Sequence, residues 1–140
     1  MIAVVIASSA FVFAASRHDR AAAVSRWNIT VAEGQALTKL ISCYDPDGDF
    51  PITMAEDPLA PIPSGSTLGA IVAQPSTYTD AELGAAPAGS RWYTREFKWT
   101  PGYQDAGVHT FYINAKDPSL DEDWAKYTIT VTNVNRPPVL

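Results

Sequence analysis

The chain has 140 residues, which is enough for one domain with a hydrophobic core of ordinary size. Its formal net charge of -5 and its scattered lysines and arginines exclude the basic stripe that nucleic-acid binding requires. The two histidines, His18 and His109, lie too far apart for a zinc-type spacing. The single cysteine, Cys43, excludes an intrachain disulfide and is predicted to be a small core residue.

Residues 1–16, MIAVVIASSAFVFAAS, are the most apolar run of the sequence. The run is shorter than the roughly 20 residues that a membrane-spanning helix requires. It suits a secretory signal, although no basic residue precedes it, or a retained helix that continues to about Val24. Both alternatives predict an extracellular or cell-surface protein whose membrane contact, if any, is confined to this run. The side chains predicted for assembly of a retained helix are Ile2, Val4, Val5, Ile6, Phe11, Val12 and Phe13.

From Trp27 onward, apolar and polar residues alternate in short runs that are separated by Gly, Pro and Asp. These runs are WNITVA, ALTKLISCY, PITMAE, STL, RWYTREFKW, VHTFYINAKD and WAKYTITVTNV. Alternation of this kind is typical of strands with one buried face. The sequence therefore predicts an all-β domain over residues 27–135, an antiparallel β-sandwich of about seven strands that follows a hydrophobic, helical segment at residues 1–24.

Two parts of the chain lack this alternation. Residues 69–90 form an insertion without clear periodicity, in which TDAEL predicts one helical turn capped by Thr79 or Asp80. Residues 136–140 contain two prolines and are predicted to be a stiff linker or tail.

The stretch CYDPDGDF places Asp45, Asp47 and Asp49 at alternate positions. Three interpretations are open: a metal-binding loop, a catalytic carboxylate cluster, and a polar turn whose aspartates accept hydrogen bonds from backbone amides. An EF-hand is the weakest form of the first, because Phe50 occupies the position of the required glycine and strands are predicted on both sides.

Four segments in order resemble a known family. They are VAEGQALTKLISCYDPDGDFPIT, IPSGSTL, FKWTPGYQDAGVHTFYINAKD and YTITVTNVNRPPVL. Together they resemble the cadherin-like and immunoglobulin-like repeat domains of bacterial and archaeal surface proteins, over about residues 29–140. The resemblance implies an immunoglobulin/cadherin-like fold. The insertion departs from the family pattern, and His109 replaces a tyrosine whose hydroxyl often binds a nearby backbone group.

The resemblance also implies calcium as the one candidate cofactor, held by two half-sites at opposite ends of the domain. A neighbouring domain or subunit would complete each of them. The implied ligands are Asp45, Asp47 and Asp117 at one end, and Glu33, Asn133 and Asn135 at the other. Arg136 stands where many calcium-binding relatives have an aspartate, which weakens the second half-site.

These observations predict a non-enzymatic, extracellular structural or adhesive module whose partners are neighbouring copies or tandem domains. Catalysis is disfavoured because the three aspartates share one short loop and no nucleophile elbow or phosphate loop is present. One alternative is a pilin-like or archaellum-like filament subunit, a homopolymer assembled through the apolar N-terminus. The other is a carbohydrate-binding accessory domain of a secreted enzyme, with stacking by Trp92, Tyr93, Trp99 and Tyr103.

Overall fold

The computed structural model describes residues 23–140, and every regular element within them is a β-strand. The strands are β1 (Val24–Ala32), β2 (Leu37–Cys43), β3 (Thr53–Glu56), β4 (Thr67–Leu68), β5 (Val72–Ala73), β6 (Thr79–Asp80), β7 (Gly84–Ala85), β8 (Tyr93–Trp99), β9 (Gly107–Lys116) and β10 (Glu122–Thr132). The all-β prediction is confirmed, and each of the alternating runs contains a strand. The predicted N-terminal helix lies outside the described residues, except that Val24 begins β1 and is therefore not helical.

One sheet contains four strands in the order β1-β10-β9-β3. β10 and β3 pair with β9 in antiparallel fashion, whereas β1 pairs with β10 in parallel. The prediction of a wholly antiparallel arrangement is therefore wrong at β1. The parallel register sets Ile29 beside Ile129 and Val31 beside Val131, so that both strands turn their apolar residues to the same face. Almost the whole domain separates the two strands, which leaves room for the long connection that a parallel pair needs.

The second sheet has the order β2-β8-β4, and β5 also pairs with β8. All of its pairs are antiparallel. Its apolar residues share one core with those of the first sheet: the ring of Phe97 on β8 stacks on Phe111 of β9 at 5.2 Å, and Trp27 of β1 lies 5.6 Å from Phe97. Full burial of such a side chain contributes about 2–3 kcal/mol. Cys43 is buried in the same core, as predicted.

Beyond β5, which extends the second sheet, the insertion packs on the outer face of that sheet. The Ser42 hydroxyl of β2 donates a 2.8 Å hydrogen bond to Asp80, and both residues are buried. The indole N–H of Trp92 donates to the Gly84 carbonyl at 3.0 Å, and the Trp92 ring meets Tyr44 edge-on in a small second core. The insertion is therefore a packed layer over β2 and β8.

The predicted helical turn inside the insertion is wrong. β6 and β7 pair instead as a short hairpin. Asp80 does cap this turn, because its Oδ1 accepts hydrogen bonds from the amides of Glu82 at 2.9 Å and Leu83 at 3.0 Å. Gly84, at φ +80°, then reverses the chain into β7, so the capped amides belong to a tight turn and not to a helix.

His109, which replaces the tyrosine of the family pattern, contacts a backbone carbonyl close by in the chain. Its Nε2 lies 2.6 Å from the carbonyl oxygen of Asp105, four residues earlier, and its ring meets Trp99 edge-on at 4.9 Å. The imidazole thus ties the loop before β9 to the strand, as the resemblance implies for a tyrosine at this position.

Candidate metal centre

The acidic loop between β2 and β3 crosses from one sheet to the other. Asp45 is fully buried, and its Oδ1 accepts a 2.8 Å hydrogen bond from the Asp47 amide. The Gly48 amide donates to the Asp45 carbonyl at 3.1 Å, and Gly48 has φ +78°, a conformation that favours glycine. The polar-turn interpretation is therefore correct for Asp45, which caps the turn with one carboxylate oxygen.

A second loop joins β9 to β10 and begins at Asp117. This residue is buried, with 3% of its surface exposed, and its Oδ1 accepts a 3.1 Å hydrogen bond from the Asp121 amide. The Asp117 carbonyl accepts from the Leu120 amide at 3.1 Å. Each loop thus holds one aspartate in place through one oxygen and leaves the other oxygen, Oδ2, without a hydrogen bond in a buried position.

The two loops meet in a cluster of three carboxylates: Asp45, Asp49 and Asp117. One oxygen from each lies within 4.8 Å of the others. Asp45 and Asp117 are buried and Asp49 is half-buried, so the cluster is closed on one side and open on the other. A buried carboxylate oxygen that lacks a partner costs about 1–3 kcal/mol or more, which makes this arrangement unfavourable without a positive charge.

The pKa values of the two buried aspartates also indicate that their negative charges are unfavourable in the ion-free cluster. Burial, supported by the charges of Asp49, Asp117 and Asp47, raises the pKa of Asp45 to about 6, although the Asp47 amide opposes the shift. Burial also raises the pKa of Asp117, against the hydrogen bonds donated by Asp121 and Ser119. Three hard oxygen donors at this spacing are the ligand type that calcium and magnesium prefer.

The structure thus brings together Asp45 and Asp117 of the predicted half-site, and it adds Asp49. Asp47 lies outside the cluster, because its side chain is exposed and only its amide faces Asp45. Glu56, which falls at the twelfth position of an EF-hand count from Asp45, accepts a hydrogen bond from the Ile62 amide at 2.8 Å and also lies outside the cluster.

The second predicted half-site is built differently. Glu33 is buried, its Oε2 accepts a 3.1 Å hydrogen bond from the Val134 amide, and its Oε1 has no hydrogen-bond partner. Asn133 and Asn135 are exposed beyond the end of β10. Within residues 23–140, no group of three acidic, histidine or cysteine ligands forms around Glu33.

Most of the aromatic residues considered for sugar stacking belong to the interior. Trp92, Tyr93 and Trp99 are buried, with at most 6% of their surface exposed, and only Tyr103 of the four is exposed. The exposed Tyr103 ring is itself covered by the guanidinium of Arg136 at 3.9 Å. Three of the four rings are therefore core residues whose faces are not open to a sugar, in line with the alternation, which places at least half of them in the core.

The residues predicted for assembly, Ile2 to Phe13, lie outside the part of the chain that the structure describes. Residues 23–140 include no helix long and apolar enough to cross a membrane.

Among known proteins, solved structures of low sequence identity resemble this chain. No protein-family profile and no curated protein matches this chain. Among solved structures, the chain is similar to the endo-fucoidan hydrolase MfFcnA4 from glycoside hydrolase family 107 and to a variant of it, each with 18% identity and a TM-score of 0.49. These matches cover 81% of this chain but span only 13% of the length of the hydrolase chains.

Proposed function

We propose that this chain is a non-enzymatic, extracellular structural or adhesive module with an immunoglobulin/cadherin-like sandwich, stabilised by calcium. Two sheets that share one core support the sandwich, as do the strand orders and the tied corner at His109. The observation that carries the proposal is the carboxylate cluster. Its members come from two loops that only the folded domain brings together.

The residues fit a hard divalent cation. Asp45, Asp49 and Asp117 would hold the ion, because the free oxygens of the two buried carboxylates need a positive charge and oxygen is the donor that calcium prefers. When bound, the ion supplies charge neutralisation and a link between the two loops. The acidic loop already spans both sheets, so this link would stabilise the domain at one end.

We expect millimolar calcium to raise the melting temperature by about 10 °C relative to a chelator, because a ligand at 100 times its Kd contributes about 2.7 kcal/mol to folding. The measurement is a melting curve for the unmodified chain and for the Asp117→Asn and Asp47→Asn variants.

The two variants form a matched pair, since each removes one carboxylate from an acidic loop. Asp117→Asn is expected to lose most of the calcium effect, whereas Asp47→Asn, outside the cluster, is expected to keep it. No calcium effect on the unmodified chain, or equal losses in both variants, would contradict the proposed role of the cluster.

An extracellular location and neighbouring domains or copies as partners are part of the proposal. They rest on the family resemblance of the chain and on its last residues, 134–140. This segment contains two prolines, as a linker would, and its first residues contact the folded domain. The Val134 amide is bonded to Glu33, and Arg136 stacks on Tyr103. Such contacts would give a following segment a defined direction.

A filament subunit is a second candidate, supported by the apolar run at residues 1–16, which needs a partner if it is retained. Electron microscopy of the full chain tests this candidate. Filaments that disappear when residues 1–16 are deleted would support it, and a monodisperse full-length chain that retains these residues by mass spectrometry would contradict it.

A further inference from the structure

The acidic loop rests against the end of the insertion. The Ser90 hydroxyl, in a residue only 7% exposed, donates a hydrogen bond to the backbone carbonyl of Asp45. On the other side of the same turn, a Cβ at Gly48 would lie 2.6 Å from the Gly89 carbonyl oxygen, so the two backbones touch at this point. Residues 89 and 90 therefore contact both ends of the turn that orients Asp45.

The insertion holds these two residues firmly. The Ser90 amide donates a 3.0 Å hydrogen bond to the Pro87 carbonyl, which closes a turn just before β8. The indole of Trp92, two residues later, is buried under the hairpin and bonded to the Gly84 carbonyl. The support beneath Asp45 is thus part of a packed unit, not a free loop.

Neither Ser90 nor Gly89 belongs to the carboxylate cluster. Their contacts are with the main chain of the turn, and that main chain sets where the Asp45 carboxylate points. Groups that orient metal ligands without touching the metal commonly change metal affinity 10–100-fold when they are removed.

We infer that the insertion positions the acidic loop for cation binding, and that Ser90 is the positioning residue. This inference rests on the proposed binding of calcium by Asp45, Asp49 and Asp117. It assigns a role to the segment that departs from the family pattern: the insertion couples the outer layer of the second sheet to the ion site.

The test uses the full chain, calcium as the probe, and two readouts. Calorimetric titration gives the Kd for calcium, and urea unfolding in a chelator gives the stability of the ion-free protein. We expect Ser90→Ala to raise the Kd about 10-fold, because the Asp45 carbonyl keeps the Gly48 amide but loses the hydroxyl that fixes the turn to the insertion. Ser90→Thr keeps the hydroxyl and should stay within about threefold of the unmodified chain. Ser90→Cys keeps the volume with a weaker donor and should fall between them.

A control variant separates positioning from a general loss of stability. His109→Phe removes another hydrogen bond between a side chain and a main-chain carbonyl, near the start of β9, whose other end leads to Asp117. It should lower the urea midpoint of the ion-free protein without changing the Kd for calcium.

Each outcome bears on the inference. An unchanged Kd in Ser90→Ala, or equal increases in Ser90→Ala and His109→Phe, would overturn the positioning role while calcium binding itself stands. If Ser90→Ala fails to fold, the Kd of Ser90→Cys decides in the same way. Absence of calcium binding by the unmodified chain would overturn both this inference and the calcium part of the proposed function.

Discussion

Replacing Arg95 by methionine is expected to lower the free energy of unfolding by about 3 kcal/mol. Arg95 lies on β8 of the second sheet, and its guanidinium group donates to three main-chain carbonyls. Nε bonds the Gly69 carbonyl at 2.6 Å, Nη2 bonds that of Leu68 at 3.2 Å, and Nη1 bonds that of Met54 at 2.6 Å. Met54 belongs to β3 of the other sheet, so one side chain ties the two sheets together.

Methionine keeps much of the length of the side chain but has no donor, so the three carbonyls lose their partner. Urea unfolding of Arg95→Met measures the effect. The matched control is Arg91→Met. Arg91 lies two residues before β8, is exposed, and has its guanidinium 5.1 Å from the centre of the Phe50 ring. We expect the control to lose less than about 1 kcal/mol. A loss in Arg95→Met no larger than in the control would show that the arginine does not hold the sheets together.

The second large effect is expected at Asp45. In the ion-free protein, Asp45→Asn should increase stability at pH 7 by on the order of 2 kcal/mol, because a buried charge beside Asp49 and Asp117 is removed. The amide oxygen of asparagine can still accept the hydrogen bond from the Asp47 amide. The same variant should lose the stabilisation by calcium, so one substitution has opposite effects with and without the ion.

The pH dependence of the ion-free protein follows from the same group. The pKa of Asp45 rises from 3.8 to about 6 on folding, so the folded state binds the proton more tightly than the unfolded state. The contribution of Asp45 to stability is complete below about pH 4 and is lost as the pH rises through about 6. The free energy of unfolding is measured with urea at each pH, in chelator, for the unmodified chain and for Asp45→Asn. The difference between the two gives the contribution of the Asp45 carboxyl group. A difference that stays constant between pH 4 and pH 7 would contradict the burial of an ionisable Asp45 carboxyl group.

The alternation of apolar residues was sufficient to locate the strands outside the insertion, because these strands bury one face in a common core. It could not reveal that β1 runs parallel to β10, since a strand has the same alternation whichever direction its partner takes. The strands of the insertion were not predicted, for another reason. Its strands have two residues each, and the hairpin is held by side chains such as Asp80 on Ser42, which leave no periodic signal.

The acidic site was predicted in part. Asp45 and Asp117 were expected at one end of the domain, and the structure places them together. The carboxylate that joins them is that of Asp49 and not that of Asp47, which the resemblance had implied, because the chain turns at Gly48 and the Asp47 side chain is exposed. The support from Ser90 could not be read from the sequence, since its acceptor is a main-chain carbonyl 45 residues away.

The most direct test of a cation at this end of the domain is an anomalous difference map from crystals grown with calcium and recorded at long wavelength. We expect one peak within bonding distance of carboxylate oxygens of Asp45, Asp49 and Asp117. Crystals saturated with calcium that show no peak between these three residues, or that show the ion only at other carboxylates, would contradict the proposed cation site.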